Sequence, residues 1–283
     1  MIEQSPYGDF TDKDFKELAD YIYEYYGINL YPNKKTLVKS RLIKRLNALG
    51  MSSYKEYCSF VLRNDPNRTE AVEMINRLST NKTEFFREND HFEQLTQVLI
   101  PTLINIDNLK EINIWSAGCS SGEEPYTIAM VLEDYRSRNK YFNFKILASD
   151  ISTQVLKKAS KAIYPKILLE QIPVHFRKSF LLKSKDPSME VFRIGQSTRS
   201  NVEFFRYNLL SAKLPFVSKM SIIFCRNTLI YFDRPTQKKV VTRLLDCLLE
   251  GGYLILGHSE SLVNMGFDLE QISASIYMKK KSI

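Results

Sequence analysis

INIWSAGCSSGEEPYT, residues 112–127, is where a short apolar run gives way to small residues and then to a helix start. The pattern reads as a strand that ends in a tight turn opening a helix. Ala117, Gly118, Ser120, Ser121 and Gly122 put little bulk in the turn, so a ligand can lie against bare backbone. The helix that follows offers unpaired amide donors and the positive end of its dipole. Glu123 and Glu124 stand in its first turn, and Glu123 is placed to reach back to a ligand hydroxyl or amine. Two acids there disfavour a phosphate. Neither GxGxxG nor GxxxxGK(S/T) occurs, which argues against a dinucleotide or a nucleoside triphosphate. An ordinary strand-to-helix turn in an α/β core would carry the same residues, and this stretch alone leaves both readings open.

Outward from the turn, the pattern alternates. Strand 112–118, helix 124–138, strand 144–149 and helix 152–162 precede a mixed insertion at about 165–198. Strands 202–206 and 220–225, helix 235–249, strand 252–257 and a last strand near 275–280 follow. Such alternation predicts a mainly parallel sheet with helices on both faces. Ligands in these sheets collect at the carboxyl ends of the strands. Those ends carry Cys119-Ser120, Ser149-Asp150, Asn208-Leu209, Arg226-Asn227 and His258-Ser259. Asp150, after the second strand, can accept both hydroxyl protons of a ribose, or it can cap the helix from residue 152.

The first 75 residues read as four helices, over 11–26, 33–49, 53–63 and 69–78, with capping patterns at Thr11/Asp14 and at Ser52 or Ser53/Glu56. The second helix contains no acid. It places Val38, Leu42, Leu46 and Leu49 on one arc and Lys34, Arg41, Lys44 and Arg45 on the next. The basic arc is either a solvated face or a docking face for an acidic helical partner. Asp65-Pro66 breaks the helical run, and a domain boundary is expected near residues 75–82. Beyond it, STNKTEFFREND predicts a helix that buries Phe85 or Phe86 and projects polar groups sideways.

The 283 residues suit one large or two modest domains. No apolar run approaches the roughly 18 residues of a membrane span, and MIEQSPYGDF has no signal-peptide layout, so a soluble cytoplasmic protein is expected. Four cysteines without a CxxC pair and three histidines give no zinc spacing; neither a metal nor a disulfide is expected. The net charge of +8 lies entirely beyond residue 75, because residues 1–75 hold 11 basic and 11 acidic side chains. A basic surface favours an acidic partner, either nucleic acid or a carboxylate-rich protein.

Five motifs in order carry a resemblance over nearly the full length: STNKTEFFRE (79–88), WSAGCSSGEEPYT (115–127), ASDIS (148–152), FCRNTLIYFD (224–233) and GHSE (257–260). On these, the chain closely resembles the CheR family, the S-adenosyl-L-methionine-dependent methyltransferases that esterify glutamates of bacterial chemotaxis receptors. The resemblance implies an all-α N-terminal domain, residues 1–78, that docks on the receptor. It also implies a Rossmann-like class I methyltransferase domain, residues 79–283, with a small antiparallel β subdomain inserted at about 165–198. It implies that Asn81, Thr83 and Arg87 reach the cofactor from an inter-domain helix, that Glu123 helps hold it and that Asp150 takes the ribose. Asn208 with Leu209 would flank the adenine, and Arg226 and Asn227 would line the methionine side. Arg87, Arg226 and Tyr231 would be the catalytic residues, with S-adenosyl-L-homocysteine as product. The implied partner is the cytoplasmic helical bundle of methyl-accepting chemotaxis receptors, reached by recruitment to membrane arrays, with no nucleic acid and no membrane insertion. Some members bind a receptor C-terminal peptide through a glycine-rich loop. Here LLKSKDPSMEVFRIG (181–195) has only Gly195, and no such tethering is expected.

Overall fold

A computed structural model of the chain describes residues 6–79, 81–106, 109–139, 142–186, 188–214, 216 and 218–281. Parts of three expectations fall outside these residues: the first five positions of the N-terminus, Thr80 at the domain boundary and Pro187 in the 181–195 loop. The chain forms two compact units. One comprises Met1–Thr80 with Tyr231–Thr236, the other Asn81–Ile230 with Gln237–Ile283. Among the described residues, no helix is long and apolar enough to cross a membrane.

In the helical unit, α1 (Asp12–Tyr26) opens on a reciprocal cap. Thr11 Oγ1 accepts the Asp14 amide and Asp14 Oδ2 accepts the Thr11 amide, both at 3.1 Å. It buries Phe15, Leu18, Ile22 and Tyr26 at helical spacing and ends on Gly27 in the left-handed region. A 3-10 turn at Pro32–Lys34 leads into α2 (Lys35–Leu49), which buries Val38, Leu42 and Leu46; Leu49 stays 38% exposed. Helix α3 (Tyr54–Arg63) is capped by Ser53, whose Oγ accepts the Glu56 amide. In α4 (Thr69–Leu78) the first amides go to Asp65, with Thr69 N to Oδ1 and Ala71 N to Oδ2 at 2.8 Å.

The basic arc of α2 needs correction. Arg45 donates to Glu70 of α4 through Nε and Nη2, and Arg41 Nη1 donates to the carbonyls of Leu78 at 2.5 Å and Ser79 at 3.3 Å. Only Lys34 and Lys44 of that arc remain exposed. The reason is tertiary: α4 presents an acid and two open C-terminal carbonyls to a helix that has no acid of its own.

The second unit is built on a seven-stranded sheet. Its strands are β1 (Glu111–Ala117), β2 (Asn143–Asp150), β6 (Val202–Arg206), β7 (Met220–Cys225), β8 (Leu248–Leu256), β9 (Leu269–Ser273) and β10 (Ile276–Lys279), in the order β6-β2-β1-β7-β8-β10-β9. The neighbours from β6 to β8 are parallel, and β10 runs antiparallel to both β8 and β9. Every residue of β7 is buried, as the apolar run predicts for a central parallel strand. From β1 the chain winds to β2 and β6 on one side, then crosses to β7 and β8 on the other. The carboxyl ends of β1 and β7 therefore flank the topological switch point. Helices α6 (Glu123–Arg138), α7 (Thr153–Lys161) and α10 (Arg234–Cys247) follow β1, β2 and β7, and the short α9 (Gln196–Ser200) precedes β6.

The insertion is a three-stranded antiparallel sheet of β3 (Ile163–Pro165), β5 (Val191–Ile194) and β4 (Leu181–Lys183), with α8 (Val174–Phe180) between β3 and β4. Gly195 lets the chain approach α8 closely: its amide donates to the Phe180 carbonyl at 2.6 Å, and a Cβ there would lie 2.9 Å from that oxygen. Its lack of a side chain therefore serves packing.

Two further points differ from expectation. Strand β9 was absent from the sequence reading; LEQIS is half exposed and alternates weakly. The predicted helix through EFFRE is instead a series of turns, with α5 (Asp90–Gln94) starting only at Asp90. The Phe85 amide donates to Gln171 Oε1 at 3.0 Å and the Phe86 amide to Thr127 Oγ1 at 3.2 Å, in place of helical carbonyls. Phe86 and Glu88 both adopt left-handed backbone, φ 56° and 53°.

Candidate active site at the strand ends

The turn after β1 is shaped by three left-handed residues, Gly118, Ser120 and Gly122. A Cβ on Gly122 would stand 2.9 Å from both the Ala159 Cβ and the Tyr164 hydroxyl, so glycine is required there. The amides of Gly118 and Cys119 donate to the Ser149 carbonyl at 2.8 and 2.9 Å, which staples the turn to the end of β2. Asp150 sits beside it. Its Oδ2 accepts the Ser120 amide and its Oδ1 the Ser152 amide, each at 2.9 Å. The cap of α7 is Ser152, whose Oγ accepts the Val155 amide, so capping does not account for Asp150. With the Ile151 amide also acting on it, the Asp150 carboxylate meets three amides, which leaves part of its roughly four lone-pair sites for a ligand hydroxyl. Burial pushes the Asp150 pKa up, against the amides of Ser152 and Ser120. Ser120 Oγ donates to the Asn81 carbonyl at 2.9 Å and so brings residue 81 to the same turn. Glu123 is buried, accepts the Ser121 hydroxyl at 3.0 and 2.8 Å, and is likewise pushed up by burial.

The second cluster gathers at the end of β7. Arg226 is buried, its side chain 2% exposed, between two acids: Nη1 donates to Glu124 Oε2 and Nη2 to Glu88 Oε2, both at 3.1 Å. Nη2 also donates to the Arg87 carbonyl, while Nε has no hydrogen-bond partner. Asn227 is left-handed, φ 54°, and its Nδ2 donates to Glu88 Oε1 at 3.2 Å. Arg87 differs from Arg226: its side chain is 34% exposed, Nη1 donates to the Lys82 carbonyl at 3.1 Å, and Nε lies 4.0 Å from Glu88 Oε1. Thr83 is half-buried on the same segment. In the turn after β6, Asn208 Oδ1 accepts the Leu210 amide at 3.0 Å and the Leu209 carbonyl accepts from Arg243. Tyr231 groups with the helical unit, where its carbonyl accepts the Asn29 amide at 3.0 Å.

Two acids in the quoted motifs had no role assigned from sequence. Glu88 binds Arg226, Asn227 and the His258 amide. Glu260 accepts four amides, from Asn227, Leu229, Ile230 and Gly257, at 2.8, 2.7, 3.3 and 2.8 Å, and so ties the loops after β7 and β8 together. An acid closing each of the motifs FFRE and GHSE was the available signal. Donor atoms of Glu88, His91 and His258 lie within 4.8 Å of one another, a metal-like grouping. The Arg226 guanidinium on the same Glu88 oxygen opposes a second cation there.

The matches to known proteins cover nearly the whole chain. Residues 81–278 match the family described as CheR methyltransferase, SAM binding domain, and residues 13–79 match CheR methyltransferase, all-alpha domain. The chain belongs to the CheR methyltransferase family. Similar relatives include a chemotaxis protein methyltransferase of Borreliella burgdorferi, 39% identical over 95% of this chain and 95% of that one. A chemotaxis protein methyltransferase 2 of Pseudomonas aeruginosa is 36% identical over 95% and 93%. A chemotaxis protein methyltransferase of Klebsiella aerogenes is 35% identical over 96% and 89%. As a CheR methyltransferase the chain takes S-adenosyl-L-methionine as cofactor, and the SAM-binding match runs from Asn81 through β1 into β10. The donor set at the switch point fits that molecule. Buried carboxylates at Asp150 and Glu123 suit hydroxyls and an ammonium, and the half-exposed Arg87 suits a carboxylate.

Proposed function

We propose that this CheR methyltransferase transfers the cofactor's methyl group to glutamate carboxylates on the cytoplasmic helical bundle of methyl-accepting chemotaxis receptors, giving methyl esters and S-adenosyl-L-homocysteine. The observation that carries the reading is the pairing of Asp150, fixed by two amides beside a bulk-free turn, with an arginine still open to solvent at Arg87. The bound cofactor supplies a methyl group on a sulfonium, an electrophile for an anionic oxygen. The protein needs no strong base, because a glutamate with an ordinary pKa of about 4.3 is already ionised at neutral pH. Its work is alignment and exclusion of water, worth several kcal/mol when the reacting atoms are held in line.

In this reading Asp150 accepts the ribose hydroxyls, Glu123, Asn81 and Thr83 hold the amino-acid end and the turn, and Asn208 with Leu209 flanks the adenine. Arg87 binds a carboxylate by charge-assisted hydrogen bonds. Arg226, sequestered between Glu88 and Glu124, holds the methionine side with Asn227 by fixing backbone. Tyr231, a neutral donor, orients the incoming carboxylate without overstabilising it. The helical unit docks on the receptor through the exposed Lys34 and Lys44, and the enzyme works in the cytoplasm at receptor arrays.

A nucleic-acid or small-molecule methyltransferase on the same fold is the rival reading. The position after β7 reads Arg226-Asn227-Thr228-Leu229, where amino-methylating enzymes of that class often carry (D/N)PP(F/Y). Tritiated methyl transfer to receptor-enriched membranes, beside RNA and no-substrate controls, tests the choice. Label in receptor bands that mild alkali releases as methanol is expected. Label on RNA, or alkali-stable label, would overturn it, and no transfer to any substrate would favour a non-catalytic receptor adaptor.

A further inference from the structure

The segment that carries Arg87 is held in a conformation its own residues do not favour. Phe86 and Glu88, on either side of Arg87, are both left-handed, a backbone region that is strained for non-glycine residues. Such backbone persists where surrounding contacts over-determine it. Those contacts converge on one carboxylate. Glu88 Oε2 accepts Arg226 Nη2 at 3.1 Å from the end of β7 and the His258 amide at 3.2 Å from the end of β8, while Oε1 accepts Asn227 Nδ2 at 3.2 Å. Arg226, so held and braced from its other side by Glu124, donates in turn to the Arg87 carbonyl. The Phe92 ring lies 5.4 Å from the Arg226 guanidinium.

We infer that Glu88 is a positioning residue: through Arg226 it clamps the Arg87 carbonyl, and so fixes where the Arg87 guanidinium can reach. Two arginines near one site are thereby given different work. Arg226 is spent on protein carboxylates and a backbone carbonyl. Arg87 Nε lies 4.0 Å from Glu88, too far for a hydrogen bond, and Nη1 takes the Lys82 carbonyl, so its charge is balanced without a bond to Glu88 and N–H groups beyond the one on Lys82 are left for a ligand. Burial works against ionising Glu88, but Arg226, Asn227 and His258 outweigh it and hold its carboxyl below the ordinary range, so the clamp is charged at neutral pH.

This inference rests on the reading that Arg87 binds the cofactor, and a double-mutant cycle separates the two. Affinity for S-adenosyl-L-homocysteine is measured by calorimetry on the full chain for Arg87→Ala, Glu88→Gln and the double variant, with thermal midpoints alongside. Arg87→Ala is expected to weaken binding about tenfold or more, the loss of a charged hydrogen bond. Glu88→Gln is expected to weaken it to a similar degree, and the double variant no further than Arg87→Ala alone, since both changes remove one interaction. A purely structural Glu88 would lower the midpoint and leave affinity intact, or its effect would multiply in full with that of Arg87→Ala; either result overturns the inference alone. Unchanged affinity in Arg87→Ala removes the parent reading and the inference together. Should Glu88→Gln not fold, Arg226→Lys takes its place in the cycle. It keeps a cation between the acids but cannot span Glu88 and the Arg87 carbonyl at once, and the same non-additivity is expected.

Discussion

Arg45 lies edge-on against Glu70, Nε to Oε1 at 2.9 Å and Nη2 to Oε2 at 2.6 Å, with both side chains largely out of water at 13% and 6% exposure. Tyr57 donates to the same carboxylate at 2.8 Å. Removing one partner of a buried pair leaves the other charge uncompensated, typically 3–5 kcal/mol. Arg45→Ala is therefore expected to lower stability by about 3 kcal/mol in denaturant unfolding. A loss under about 1 kcal/mol would mean that Glu70 finds water instead.

Docking, if it uses α2, has to use what remains exposed. Lys34→Glu with Lys44→Glu should raise the apparent KM for receptor, most clearly at low salt, where the Debye length is about 30 Å at 0.01 M, with cofactor affinity and thermal midpoint unchanged. Receptor kinetics that ignore both the substitution and the salt would make this a solvated face.

Asp150→Ala removes the acceptor for the Ser120 and Ser152 amides as well as the proposed ribose contact. Cofactor affinity is expected to fall by roughly 1–3 kcal/mol in calorimetry. An unaltered dissociation constant would take Asp150 out of the site.

Tyr231→Phe is expected to reduce kcat with little change in cofactor affinity or thermal midpoint, because it deletes one hydroxyl and keeps the ring. A full wild-type kcat would end its catalytic assignment.

His91 gives a pH test. Burial, with the Arg226 charge, holds its pKa down at about 4 from 6.5, despite the nearby acids Asp90 and Glu88. The imidazole Nε2 is bonded to Ser275 Oγ at 2.6 Å and its Nδ1 has no hydrogen-bond partner. Above pH 6.5 the folded and unfolded chains both hold it neutral. As pH falls from 6.5 toward 4, the unfolded chain takes up a proton that the native one refuses, so stability drops across that window. The total approaches about 3 kcal/mol at ~1.4 kcal/mol per pKa unit. His91→Gln should flatten the slope of unfolding free energy against pH between 4 and 6.5, and an equal slope in the variant would contradict the assignment.

What the sequence disclosed follows the range of the forces involved. Strands 202–206 and 220–225 and helix 69–78 could be read to the residue because period and capping are local signals. Arg45 could not be placed, since its partner stands 25 residues away on another helix. Nor could the backbone around Phe85 and Phe86, whose amides are satisfied by side chains 86 and 41 positions on. Asp150 was legible as an acid at a strand end, and the structure adds the two amides that orient it. Glu88 and Glu260 were visible as letters in motifs, but an acid's value in holding loops is set by which amides converge on it.

The antiparallel hairpin of β9 and β10 closes one flank of β8, pairing Ile276 with Ile255, Tyr277 with Leu254 and Met278 with Tyr253. A chain stopped before Leu269 would strip the β10 partner from the buried residues Tyr253–Leu256 and leave their N–H and C=O groups as a bare row along that edge. That is a ready template for adding strands from other copies. The hairpin thus acts as a stopper on self-association, and shortened forms of this enzyme are expected to aggregate before they lose their helices.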